Sequence, residues 1–215
     1  MTDILSELEL DALTEMVNIG VGRAAASLRE MVGEQVLLSV PKVTLVSRDK
    51  AILALGENEV SHLVGIHQVF EGDISGRALL IFPDTKSLEL VRAVVGGDLP
   101  LEEIIELEQE ALAEIGNIIL NGCLATVANL LQRSLKMSLP EILRGEPAVF
   151  FDLAPPPAAG DVVMFLFINF AIRSRDIRGY IAMIMDMPSL AVLRVLLGEF
   201  IERTAGGAAP AEDRG

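Results

Sequence analysis

Two glutamate/asparagine pairs hold the residues of this chain best suited to chemistry. Glu15 precedes Asn18 by three positions, and Glu114 precedes Asn117 by three. Each pair sits in a longer frame. The first reads Asp11-x3-Glu15-x2-Asn18-x22-Pro41 and the second Glu110-x3-Glu114-x2-Asn117-x22-Pro140, at an offset of 99 residues throughout. A carboxylate is an anionic acceptor that can meet a partner's cation. A carboxamide offers an acceptor and two donors without charge. Residues three apart on a helix share one face, so each pair projects as a unit. Two such units suggest two equivalent sites on a pseudo-symmetric molecule.

The elements that must position them follow from periodicity. Residues 5–32 read as a long helix whose core stripe is Leu13, Val17, Gly20, Ala24, Leu28 and Met31. Glu15 and Asn18 fall on the opposite side, with Asp11 and Gly22. In the second copy the core stripe is Leu112, Gly116, Ile119, Cys123, Val127 and Leu130, with Glu114 and Asn117 pointing away. Both pairs are therefore expected to face solvent, and Asn→Ala at either is expected to leave folding nearly intact. Pro41 and Pro140 end the helical stretches. Strands are predicted over 52–55, 63–70 and 76–82 in the first half, and over 148–153, 162–172 and 179–185 in the second. Short helices over 87–95 and 189–197 close the halves, with Asp84 and Asp186 as N-caps and Gly96-Gly97 and Gly198 as stops.

This predicts an α+β fold: two helix–strands–helix units, about 5–97 and 104–201, related by a pseudo-twofold. Together they form one mostly antiparallel sheet covered by helices. Residues 1–203 read as one domain. The Gly/Ala/Pro-rich stretch 204–215 reads as a disordered tail.

Composition narrows the function. A formal charge of −14 argues against nucleic acid and against anionic membrane surfaces, and favours a partner with a basic rim. Half the residues are apolar, but no unbroken apolar run approaches the ~20 residues of a membrane span. One cysteine, Cys123, excludes an internal disulfide and points to a reducing cytoplasm. It falls on a core stripe, which reads as an inert thiol. His62 and His67 are the two histidines, and no cysteine/carboxylate cluster accompanies them, so no metal site is expected. Gly20-x-Gly22-x-x-Ala25 mimics a dinucleotide fingerprint but lies in mid-helix, so it is rejected.

The Asp/Ser-x3-Glu-x2-Asn-x22-Pro spacing resembles the motif of the CheC/CheX/FliY phosphatases of bacterial chemotaxis. The length, the duplication and the order of elements are most similar to the CheC branch. The resemblance covers nearly all of residues 5–201. It implies hydrolysis of the aspartyl phosphate of a CheY-type response regulator. Glu15 and Glu114 would pair with a lysine of the regulator, and Asn18 and Asn117 would place the attacking water. No cofactor is implied in this chain; the magnesium ion belongs to the regulator. A carboxamide suits the task, because it holds water without bringing charge to the phosphoryl oxygens, and phosphoryl transfer asks mainly for positioning. The leading position is Asp11 in the first copy and the longer Glu110 in the second. The resemblance also implies the deamidase CheD as a partner, but Pro155-Pro156-Pro157 beside Asp152 breaks the helix that such an interface would use. The alternative of another class is a non-catalytic docking module of the same fold, like the flagellar switch protein.

Overall fold

A computed structural model of the chain describes residues 4–33, 35–40, 42–56, 62–95, 99–152, 162–172 and 175–206. Five helices and eight strands follow in the order α1 (Glu7–Val32), β1 (Val36–Ser39), β2 (Val43–Ser47), α2 (Arg48–Gly56), β3 (Leu63–Gly72), β4 (Gly76–Pro83), α3 (Ser87–Val95), α4 (Leu101–Leu130), β5 (Leu135–Met137), β6 (Glu141–Gly145), β7 (Val162–Ile172), β8 (Arg175–Met185) and α5 (Met187–Gly206).

The long helices begin and end for local reasons. At the start of α1, Ser6 accepts from the Glu9 N–H while the Glu9 carboxylate accepts from the Ser6 N–H, a reciprocal capping box. Its end is Gly33 in the left-handed region at φ 72°, donating to Arg29 O. Just past the end of α4 at Leu130, Gln132 at φ 57° turns the chain so that the Arg133 N–H reaches Ala128 O. In α5, Asp186 Oδ1 accepts from the Ser189 N–H at 2.8 Å, which caps the helix as expected.

All strands join one antiparallel sheet in the order β1-β7-β8-β4-β3-β5, with β2 also on β7 and β6 also on β3. The order is symmetric about the β4/β8 boundary, where Leu79 faces Ala182 and Leu80 faces Ile181. The strands after each long helix pair with the other half: β1 and β2 with β7, β5 and β6 with β3. Helices α1, α3, α4 and α5 pack on one face of the sheet, over Val64, Ile66, Phe70, Leu166, Ile168 and Ile181. The other face is covered by α2 and a 3-10 turn, Pro147–Phe150, over Leu79, Ile81, Phe165 and Ala182.

Helix α1 crosses α4 closely because both carry glycine at the contact. A Cβ on Gly20 would lie 2.8 Å from Cys123 Cα, and one on Gly122 would lie 3.0 Å from Ala24 Cβ. Helix α4 is long and apolar enough to cross a membrane by composition, but 61% of that window is buried within this fold. It is a core helix.

Several expectations need correction. Residues 52–55 lie in α2, not in a strand: Ala51 and Leu55, four apart, are buried on one helical face. The predicted strand 148–153 begins as the 3-10 turn, because Pro147 at its first position favours helical φ; Leu153 lies outside the described residues. Met31 is 41% exposed, and Val32 takes its place in the core. Gly198 does not stop α5, which continues to Gly206, so 204–206 are helical. The proposed stop at Gly96-Gly97 lies outside the described residues.

Candidate functional site

In the first half, α1 presents Glu15 to solvent, as expected. Asn18 is different. It is half-buried, and both ends of its carboxamide are engaged by one residue. Asn18 Nδ2 donates to Val40 O at 2.9 Å, and the Val40 N–H donates to Asn18 Oδ1 at 3.1 Å. Val40 is 1% exposed. An extended residue turns its N–H and C=O to the same side, which lets one carboxamide bind both. Val40 immediately precedes Pro41, and a residue before proline is biased to extended geometry. In the first half the spacing thus brings the residue before the proline onto the Asn18 carboxamide. Pro41 itself lies outside the described residues.

In the second half, α4 presents Glu114 to solvent, and Asn117 is again half-buried. Its partners are side chains. Asn117 Oδ1 accepts from Asn121 Nδ2 at 2.6 Å and from Gln68 Nε2 at 3.3 Å. Gln68, fully buried on β3, also donates to Ser138 O at 2.9 Å. Ser138 is pinned to β3 through Ser138 N–H to Val69 O and Val69 N–H to Ser138 Oγ, both 2.9 Å. Asn117 does not bind the backbone before Pro140. Leu139, which stands where Val40 stands in the first half, is 86% exposed. The Asn117 Nδ2 group has no hydrogen bond among the described residues.

The two surroundings differ at identifiable positions. Asn121 corresponds to Gly22 at the 99-residue offset. Strand register gives the counterpart of Gln68. Met137 pairs with Phe70, and its counterpart Leu38 pairs with Phe170, so Gln68 corresponds to Ile168. Ile168 is buried and apolar. The first half therefore lacks both carboxamides that hold Asn117. Two acceptor atoms in this cluster, Gln68 Oε1 and Asn121 Oδ1, are buried without a hydrogen-bond partner among the described residues. Each such atom costs about 1–3 kcal/mol.

The expectation that both asparagines face solvent away from the fold is corrected here. Both lie at the boundary between helix face and strand, and the protein itself fixes their carboxamides. Val40, Gln68 and Asn121 were not singled out from sequence. Asn121 carried a signal, being one helical turn beyond Asn117. Gln68 carried another, because strand alternation puts it on the same face as Val64, Ile66 and Phe70.

Little other chemistry is available nearby. Cys123 is fully buried, and desolvation pushes its thiol up to about 12, so it is no nucleophile. His67 is buried on β3 with its pKa lowered by desolvation, against the pull of Glu141. No group of three or more His, Cys, Asp or Glu side chains suited to a metal occurs among the described residues. The acidic stripes are prominent instead. Glu7, Asp11 and Glu15 are exposed along α1, and Glu103, Glu106, Glu110 and Glu114 along α4. Gly22, beside Asn18, opens onto empty space.

Comparison with known proteins places these features in context. The chemotaxis phosphatase CheX family matches residues 64–150, a segment that holds Gln68, Glu114, Asn117, Asn121 and Ser138. The CheY-P phosphatase CheC of Bacillus subtilis is 29% identical over 64% of this chain and 67% of its own length. The flagellar motor switch phosphatase FliY of the same organism is 26% identical over 65% of this chain but only 36% of its own length. Among solved structures, FliY of Thermotoga maritima superposes with a TM-score of 0.71 at 17% identity, covering 93% of this chain and all of that one.

Proposed function

We propose, from the match of residues 64–150 to the CheX family and the similarity to CheC of Bacillus subtilis, that this chain hydrolyses the aspartyl phosphate of a CheY-type response regulator in the cytoplasm. The observation that carries the reading is the second pair. Glu114 is exposed three residues before Asn117, whose carboxamide is oriented by the protein and keeps Nδ2–H donors available. This pair lies inside the segment that matches the family.

The division of labour follows from the residue types. The regulator brings the acyl phosphate, its lysine and its magnesium ion. Glu114, and Glu15 in the first half, meets the lysine and sets the approach. Asn117, and Asn18 in the first half, enters beside the phosphoryl group and holds water in line. Because the transition state is loose, positioning supplies most of the help and no protein nucleophile is needed. The acidic stripes on α1 and α4 favour a partner with a basic rim.

One observation favours a second reading for the first half. Asn18 spends both ends of its carboxamide on Val40. That bond pair gives Asn18 a structural role, pinning Val40, which a non-catalytic docking module of this fold would also need, while its second Nδ2–H stays open to water. CheD is a further proposed partner. Asp152, at the stretch concerned, forms an ion pair with Arg48 on α2, and Pro155-Pro156-Pro157 lie outside the described residues.

The test is phosphate release from a phosphorylated CheY-type regulator in magnesium, with and without this protein. Release should accelerate with the regulator, and free acetyl phosphate should be left alone. Equal hydrolysis of acetyl phosphate in the absence of any regulator would sink the reading.

A further inference from the structure

We propose that Gln68 and Asn121 are positioning residues of the second centre, holding Asn117 with its N–H edge outward, and that this makes the second centre the preorganised one. The inference deepens the phosphatase reading and rests on it.

Three observations carry it. The first is directional. A carboxamide oxygen has two acceptor sites, and both on Asn117 Oδ1 are filled, by Asn121 Nδ2 at 2.6 Å and Gln68 Nε2 at 3.3 Å. A rotation of the carboxamide that swapped its ends would put NH2 against two donors. Gln68, whose Nε2 is also tied to Ser138 O at 2.9 Å, holds Asn117 in this sense, and what Asn117 offers outward is a donor. A donor meets the oxygen of a water or of a phosphoryl group, both of which carry lone pairs.

The second is cost. Gln68 is fully buried in an aliphatic core, and among the described residues neither its Oε1 nor the buried Asn121 Oδ1 has a hydrogen-bond partner. Carboxamides whose oxygens find no partner there add little to stability. An apolar residue at position 68 would pack with Val64, Ile66 and Phe70 without that penalty.

The third is the internal control. The first half places Ile168 and Gly22 at the corresponding positions. There the fold forms without the cluster, and the asparagine turns to the Val40 backbone instead. The sheet and helix therefore do not need a carboxamide at either position. The remaining role for these groups is on Asn117 itself. Preorganisation of this kind matters because a misplacement of about 1 Å in a positioning group can cost roughly a hundredfold in rate.

The test uses the full chain with Glu15→Lys, an exposed change that removes the first centre's docking carboxylate. Into this parent go Gln68→Met, which keeps volume without polar atoms, and Asn121→Ala. Phosphate release from a phosphorylated CheY-type regulator and thermal unfolding are measured on each. The expected result is a kcat at least tenfold below the parent with half-saturation within about twofold, while Gln68→Met unfolds at the same temperature as the parent or higher. Unchanged turnover in both variants would overturn the inference. So would a loss that tracks a lowered unfolding temperature, because that is a packing role. An inactive parent beside an active wild type would also overturn it, since the second centre would then be silent. A wild type inactive on every phosphorylated regulator would overturn the phosphatase reading beneath it.

Discussion

Asn18 and Val40 close a two-bond ring between the middle of α1 and the strand exit that follows it, at 2.9 and 3.1 Å. The ring joins two residues 22 apart in sequence and gives the buried Val40 N–H and C=O one partner each. Removing the carboxamide strands the Val40 N–H and C=O in a site that is 1% exposed. Asn18→Ala should therefore destabilise the fold by about 2 kcal/mol, lowering the unfolding temperature by roughly 4–8 °C for a chain of this size. Asn117→Ala should cost less, about 1 kcal/mol, because Gln68 keeps its bond to Ser138 O. Paired thermal melts check this; equal unfolding temperatures for Asn18→Ala and wild type would contradict it.

Neighbouring glycines on α1 should behave in opposite ways. Gly20→Ala drives a methyl to within 2.8 Å of the Cys123 backbone, so α1 and α4 must separate. A loss of about 1–3 kcal/mol is expected from such overpacking. Gly22→Ala meets nothing within 4 Å and should stabilise α1 by up to about 1 kcal/mol through helix propensity. Urea unfolding of the two variants separates them; a stable Gly20→Ala would refute the close crossing.

Much of this arrangement was legible in the sequence because it is periodic. The core stripes of α1 and α4 follow helical spacing, and β3, β4 and β7 are apolar runs bounded by turn residues. Residues 52–55 misled because a four-residue apolar run fits strand and helix alike, and the buried pair Ala51/Leu55 is decided by tertiary contact. The short strands β1, β2, β5 and β6 were missed because they draw stability from pairing with the opposite half, which no local pattern records. The same reason hid Val40 and Gln68. Their importance lies in hydrogen bonds to residues 22 and 49 positions away.

Glu114 is exposed and has no structural partner among the described ion pairs, so its charge is free for recognition. Glu114→Lys should leave the fold intact and raise the half-saturating regulator concentration, with a smaller change in kcat. The defect should shrink in high salt, as a screened charge contact does. Steady-state kinetics at two ionic strengths decide it. An unchanged half-saturation with collapsed turnover would reassign the residue to the chemical step.

His67 makes stability depend on pH. Burial depresses its pKa below the ordinary 6.5, outweighing the raising effect of Glu141, and Arg77 acts in the same direction as burial. The unfolded chain thus takes up a proton that the folded chain resists. Stability from this group is full above the unfolded pKa and declines as pH falls below about 6.5. Across melting curves at pH 7.5, 6.5 and 5.5, the stability difference between wild type and His67→Leu should shift in the variant's favour as pH falls. A difference independent of pH would rule the titration out.

The central claim is that an asparagine on a long helix places water at a regulator's aspartyl phosphate. Its most direct test is the phosphate-release rate of the Asn18→Ala/Asn117→Ala double variant. The rate is measured well below its unfolding temperature, at regulator concentrations that saturate wild type. The account predicts that release falls to the regulator's own decay rate while the regulator still binds. A folded double variant that releases phosphate at the wild-type rate would contradict it.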